Sequence, residues 1–128
     1  MRARLLGRIL VAWHGARSPS ADEWSAFLAL IRTAEPTPTL GLVLTQGGAP
    51  SPTQQIELAQ AIGARTVRVA VVSDHVGVRF VVSSLALVMK RIRSFPSSAL
   101  DEAYVHLGLE PEEARQSDEL IAQWRSHP

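Results

Sequence analysis

The stretch "TVRVAVVSDHVGVRFVVSSLALVMK", residues 66 to 90, changes period midway. Residues 66 to 72 form a short run of mostly β-branched apolar side chains, the pattern of a strand buried on both faces. From Ser73 the spacing becomes helical, with Asp74 placed to cap it. Val78, Val81, Val82, Leu85, Val88 and Met89 then fall on one stripe, enough to cover a sheet. An interior strand that leads directly into a sheet-covering helix is the repeating unit of an α/β fold.

The same alternation extends in both directions. Upstream, "ARLLGRILVAWHG" reads as two short strands around Gly7 or as one long kinked strand. "SADEWSAFLALIRTA" follows as a helix, with Ser20 and Glu23 at capping-box spacing and Trp24, Phe27, Leu28 and Ile31 on one face. "EPTPT", residues 35 to 39, ends it, because proline cannot continue the hydrogen-bond ladder. "LGLVLT" is a buried strand, and "SPTQQIELAQAIG" a second helix with Ser51 at its cap, Pro52 at its first position and Gly63 at its exit. Downstream, "RIRSF" suits an edge strand whose arginines discourage edge-to-edge pairing. "SSALDEAYVHLG" is a capped helix ending at Gly108, and "EPEEARQSDELIAQWR" a final helix with Ala114, Leu120, Ile121 and Trp124 on its apolar side. The expected order is β(β)αβαβαβαα: a single α/β domain with a mixed, mostly parallel sheet flanked by helices. Residues 1 to 109 form its body and residues 110 to 128 a terminal amphipathic helix packed on that body.

Bulk properties narrow the function. A chain of 128 residues, 46% hydrophobic, is the size of one domain with one real core. The sequence has no cysteine, which rules out disulfides and thiolate metal sites and accords with a reducing compartment. No signal peptide is read in the first fifteen residues, and no apolar run reaches the roughly 20 residues that span a bilayer, so the expected location is cytoplasmic. Residues 1 to 93 carry eleven Arg/Lys against five Asp/Glu, whereas residues 94 to 128 carry two against seven. The arginines are scattered, only Lys90 to Arg93 cluster, and no aromatic ladder accompanies them, which argues against nucleic acid. An acidic terminal helix lying near a basic sheet edge explains the asymmetry.

Motifs of catalysis are sparse. Gly47 and Gly48 lack the companions of a nucleotide loop and read as a turn. His14, His75, His106 and His127 have no helical metal-pair spacing, and no cofactor or metal is expected. His106 sits near a helix C-terminus, where a cation suits the dipole. His14 and His75 lie at strand ends, where open α/β sheets bind ligands. There His14, Ser51 and Asp74 are the residue types of a hydrolase triad, but without the strained nucleophile turn that positions one.

The element order, the opening strand pair ending in "WHG" and the closing "SFPSSALDEAYVHLGL" resemble the STAS-type domain of anti-sigma factor antagonists and its STAS/CRAL-TRIO-like bacterial relatives. The resemblance covers about residues 3 to 109. It implies a non-catalytic, regulatory protein-interaction module or, in the lipid-binding cousins, a hydrophobic ligand pocket. The family's phosphorylatable Asp-Ser-Ser-Gly-like segment is absent: the matching region reads "LTQGGAPSPTQQ", residues 44 to 55, and Ser51 already serves as a helix cap.

One feature of residues 73 to 90 exceeds what a sheet-covering helix needs. Val76, Phe80 and Leu87 lie off the main stripe. Neighbouring helices can bury this second stripe, or it can form an exposed patch for a protein partner or self-association. In a third arrangement Phe80, Val81 and Met89 line a cavity for a small apolar, lipid-like ligand. The leading expectation is an interaction module, the alternative a ligand carrier or sensor, and a small hydrolase comes third.

Overall fold

The computed structural model describes residues 1 to 127. Its five strands are β1 (Arg2–Leu6), β2 (Ile9–His14), β3 (Leu40–Thr45), β4 (Arg68–Val72) and β5 (Ile92–Phe95). They lie side by side in chain order, β1 antiparallel to β2 and the others parallel. The five helices are α1 (Ala21–Thr33), α2 (Pro52–Ile62), α3 (Val76–Leu85), α4 (Leu100–Leu107) and α5 (Pro111–Ser126). This is the expected single α/β domain with a mostly parallel sheet. Gly7 takes the positive φ of the hairpin turn, so the opening segment is two strands and not one kinked strand.

Each parallel crossover leaves its helix on the same side of the sheet, so α1, α2 and α3 share one face. After β5 the chain turns through Pro96 and a 3₁₀ turn, Ser97–Ala99, and α4 and α5 cover the opposite face. Strand alternation feeds both layers. Ile9, Val11, Leu42, Leu44, Ala70, Val72 and Phe95 point toward α4 and α5, where they meet Ala103, Leu107, Leu120, Ile121 and Trp124. Leu10, Ala12, Val43, Val69 and Val71 point toward α1, α2 and α3.

The acidic terminal helix does lie beside a basic edge. Arg8, in the β1–β2 turn, grips Glu113 through Nε (2.8 Å) and Nη2 (2.9 Å) and donates to the Gly108 carbonyl at 3.1 Å. This fork holds the Glu113 carboxyl down at about 2. Gly108, in the left-handed conformation, ends α4 and lets the chain reverse into α5, and the Tyr104 hydroxyl donates to Asp118 across that reversal at 2.7 Å. His106 stands in the last turn of α4 as expected, and its Nε2 lies 3.1 Å and 3.2 Å from the carbonyl oxygens of Val69 and Arg91, beside the ring of Phe95.

Several local expectations are corrected. Helix α3 ends at Leu85, and residues 86 to 88 are turns that bring Met89 back to the core while Val88 faces solvent. Asp74 does not cap it. His75 occupies the cap position without a side-chain bond, because the Asp74 carboxylate instead accepts from the Ser97 backbone N–H (2.9 Å) and hydroxyl (2.5 Å) in the 3₁₀ turn after β5. Those bonds hold the Asp74 carboxyl below its ordinary range. Helix α4 likewise has no side-chain N-cap, since the 3₁₀ turn precedes it.

A candidate ligand cavity

The central crossover helix, α2, is the weak point of its layer. Its N-terminus is well made: Ser51 accepts from the Gln54 N–H at 3.2 Å and the Gln54 side chain accepts from Ser51 N–H at 2.9 Å. Its inward side, however, offers only Leu58 and Ile62 as large apolar residues, with Ala61 between them. No residue of α2 is buried. Beneath it, Gly41 and Val43 of the middle strand are only partly covered, whereas Leu42 and Leu44, facing the other way, are buried. Leu58, Ala61 and Ile62 alone do not close the space between this helix and the sheet.

The result is a cavity of about 120 Å³ between the sheet and α1, α2 and α3. Its walls include residues at the starts of the strands, such as Leu40 and Ile92, and at their ends, such as His14 and Thr45. Five residues of strand separate Leu40 from Thr45, so the cavity follows the sheet for roughly 16 Å. The lining is almost entirely apolar, with Phe27, Ile31, Val43, Leu58, Val71, Val78, Val82 and Met89 around it.

Polarity collects at the strand-end pole. His14 ends β2 on the cavity side and is only 5% exposed, and its Nδ1 has no hydrogen-bond partner among the described residues. Trp24, in the first turn of α1, is 3% exposed and lines the same cavity, and its indole Nε1 is also unpartnered. Burial pushes the His14 imidazole down to about 4; the nearby Met1 amino group lowers it further, and Glu23 opposes both. The ring is therefore neutral at physiological pH. A third buried polar atom without a partner, Ser117 Oγ, belongs to α5 on the other face and does not line this cavity.

Two loops roof this pole. The Gly48 N–H donates to the Gly15 carbonyl at 2.8 Å, and the Gln54 amide donates to the Pro19 carbonyl at 3.0 Å. A Cβ at Gly48 would sit 2.1 Å from the Arg17 carbonyl oxygen, so only glycine permits this contact. Gly47, with φ 118°, turns beneath the His75 imidazole. The glycine pair is thus a turn, as its sequence context indicates, and Thr45 Oγ1 accepts from the Gly47 N–H within it.

The residues singled out by sequence are distributed as follows. His14 faces the cavity, Ser51 is occupied as the α2 cap, Asp74 is bound to Ser97, and His75 sits on the rim over Gly47. His14, Ser51 and Asp74 share no hydrogen bond and do not form a triad. Val76, Phe80 and Leu87 are 65%, 72% and 83% exposed, so neighbouring helices do not bury the second stripe of α3. Val81 and Met89 line the cavity as expected of a ligand wall, but Phe80 points away from it. Sequence reasoning placed Trp24 in the core and missed its free N–H. The legible signal was the scarcity of large apolar residues along α2.

No group of three or more His, Asp or Glu side chains that could hold a metal ion occurs among the described residues, and none of their helices is long and apolar enough to cross a membrane. No protein-family model matches the chain, and neither a curated protein nor a solved structure is similar to it.

Proposed function

We propose that the protein is a non-catalytic binding domain that holds a small apolar ligand in the cavity between its sheet and helices α1 to α3. The observation that carries this reading is the cavity itself, left where α2, none of whose residues is fully buried, covers the strand bearing Gly41 and Val43. Well-packed interiors leave few voids larger than a water molecule, and an engineered apolar cavity of ~150 Å³ stays dry and binds benzene. A space of about 120 Å³ has that capacity. Larger ligands enter only if α2 lifts, and its slight burial makes lifting inexpensive.

The STAS-like resemblance supports a regulatory role for such a domain, and a second observation favours a partner surface. Val76, Phe80, Leu87 and Val88 form the exposed apolar side of α3 and its following turns, with Arg79, Lys90 and Arg91 among them. A protein partner or second copy that covers this side would sit on the outer surface of the element whose inner surface lines the cavity.

Native mass spectrometry of the protein purified from its own host tests both readings, because it registers bound small molecules and oligomers in one measurement. The ligand reading expects a co-purifying mass that Val43→Phe, which fills the cavity, eliminates without unfolding the chain. Absence of any such mass, together with no binding of small apolar probes, would discard it. For the partner surface, Phe80→Glu and Leu87→Glu should abolish association while the fold survives. Unchanged sedimentation of both variants, with no partner lost, discards that surface.

A further inference from the structure

The two unpartnered polar atoms at the strand-end pole specify the ligand more closely than the apolar walls do. Indole Nε1–H can only donate. Imidazole Nδ1 accepts when the ring carries its proton on Nε2. A hydroxyl group is both acceptor and donor, and satisfies the two together. A carboxylate would instead bring an unpaired charge to a buried pole where the imidazole is neutral, the Thr45 hydroxyl is already bonded to the Gly47–Gly48 turn and the remaining polar group is an indole, a costly arrangement. The nearby charges are already paired: the Met1 amino group contacts the Glu23 carboxylate at 2.6 Å. From this pole the cavity runs along the strands to Leu40 and Ile92 between apolar walls, and the one charged residue on its lining, Arg65, turns its guanidinium to the carbonyls of Ala61 and Ile62 at the end of α2.

We infer that the cavity takes a neutral, linear apolar molecule carrying a single hydroxyl, its oxygen accepting from Trp24 Nε1–H and donating to His14 Nδ1, its chain lying between the sheet and α2. This inference rests on the ligand-cavity reading and adds the chemistry of the head group. Leaving a buried donor and acceptor unmet is more costly than the net gain of an average hydrogen bond, so the head group should matter strongly to affinity.

The test uses the intact ¹⁵N-labelled protein, titrated with 1-hexanol, 1-chlorohexane and hexanoate and followed by ¹H–¹⁵N spectra. The three indole signals, from Trp13, Trp24 and Trp124, are assigned by single Trp→Phe variants. Hexanol should bind about tenfold more tightly than chlorohexane, the factor expected of one to two hydrogen bonds in a dry site. Only the Trp24 indole proton should move downfield with hexanol. In Trp24→Phe the preference for hexanol should collapse while chlorohexane still binds. Equal affinity for hexanol and chlorohexane in the unmodified protein overturns the polar pole but leaves the cavity reading intact. Tighter binding of hexanoate than of hexanol overturns the neutral head group. If no probe perturbs the cavity residues, the cavity reading fails and this inference fails with it.

Discussion

The two faces of the sheet are built from the same strands but packed to different standards. On one face, Ile9, Val11, Leu42 and Ala70 are at most 1% exposed beneath α4 and α5, and Leu107 and Ile121 fill the space above them. On the other, the middle strand presents Gly41 and Val43 to a helix with no buried residue. The difference lies in the helices. α5 supplies Leu120, Ile121 and Trp124, and α4 supplies Leu107, whereas α2 supplies Leu58, Ala61 and Ile62. One face therefore carries stability, and the other keeps room. A binding domain needs both, since a cavity persists only if the remainder of the structure over-stabilises the fold.

The sharpest way to break this comparison is to truncate one leucine on each face. Leu42→Ala removes a fully buried side chain where the surroundings cannot collapse, and should cost about 2–5 kcal/mol. Leu58→Ala, from a partly covered position beside an existing cavity, should cost well under half as much, roughly 1 kcal/mol. Urea denaturation of both variants decides the matter. Equal costs would mean that α2 is packed as firmly as α4 and α5.

A second contrast is electrostatic. His14 is neutral in the folded protein down to about pH 4, whereas in the unfolded chain it takes a proton near 6.5. The unfolded state thus binds more protons between these values, and stability falls as pH drops through that window. The loss reaches about 3 kcal/mol by its lower end. The Glu23 and Glu113 carboxyls, held at about 2 by the Met1 amino group and by Arg8, act in the same sense within a lower window: their stabilisation is present above 4.5 and is lost as pH falls toward 2. His14→Phe should therefore flatten the decline between pH 6.5 and 4 and leave the steeper acid limb in place. Guanidine melts at pH 7, 5 and 3 separate the two limbs. An unchanged slope between pH 6.5 and 4 would show that His14 is solvated and that the polar pole is open to water.

Much of this architecture was legible in the sequence because it follows from local rules. The capping box at Ser20, the cap at Ser51, the proline stop after α1, Gly108 after α4 and the apolar runs of β2 to β4 each specify their own element. The readings that failed required knowledge of distant neighbours. Asp74 has the right type and spacing for a cap, but Ser97, twenty-three positions away, offers it two donors. The second stripe of α3 is indistinguishable by periodicity from one that a neighbour buries, and only the placement of α3 at the edge of its layer, over β4 and β5, leaves Phe80 and Leu87 uncovered. The cavity was hidden for the same reason. It lies where β3 meets a helix that brings only Leu58, Ala61 and Ile62 inward, and neither element is unusual alone.

The smallest expected effect refines the comparison most, because it separates global from local stability. Ser20 and Ser51 make the same capping box, each accepting from the N–H three residues on at 3.2 Å. Replacing either with alanine should remove about 1 kcal/mol of helix stabilisation. The consequence depends on what the helix is packed against. α1 buries Trp24, Phe27, Leu28 and Ile31, so its unravelling exposes a core cluster and Ser20→Ala should register in the global unfolding free energy. α2 only partly buries Leu58, Ala61 and Ile62, so Ser51→Ala should appear mainly as faster amide hydrogen exchange along residues 52 to 62, with a smaller change in the global midpoint. Saturating 1-hexanol should then slow that exchange again if the ligand lies beneath α2, because binding raises the free energy of any opening that destroys the site. Exchange in α2 that matches α1 in the unmodified protein, and responds to neither Ser51→Ala nor ligand, would mean that the two helices are held alike and that the open face is closed in solution.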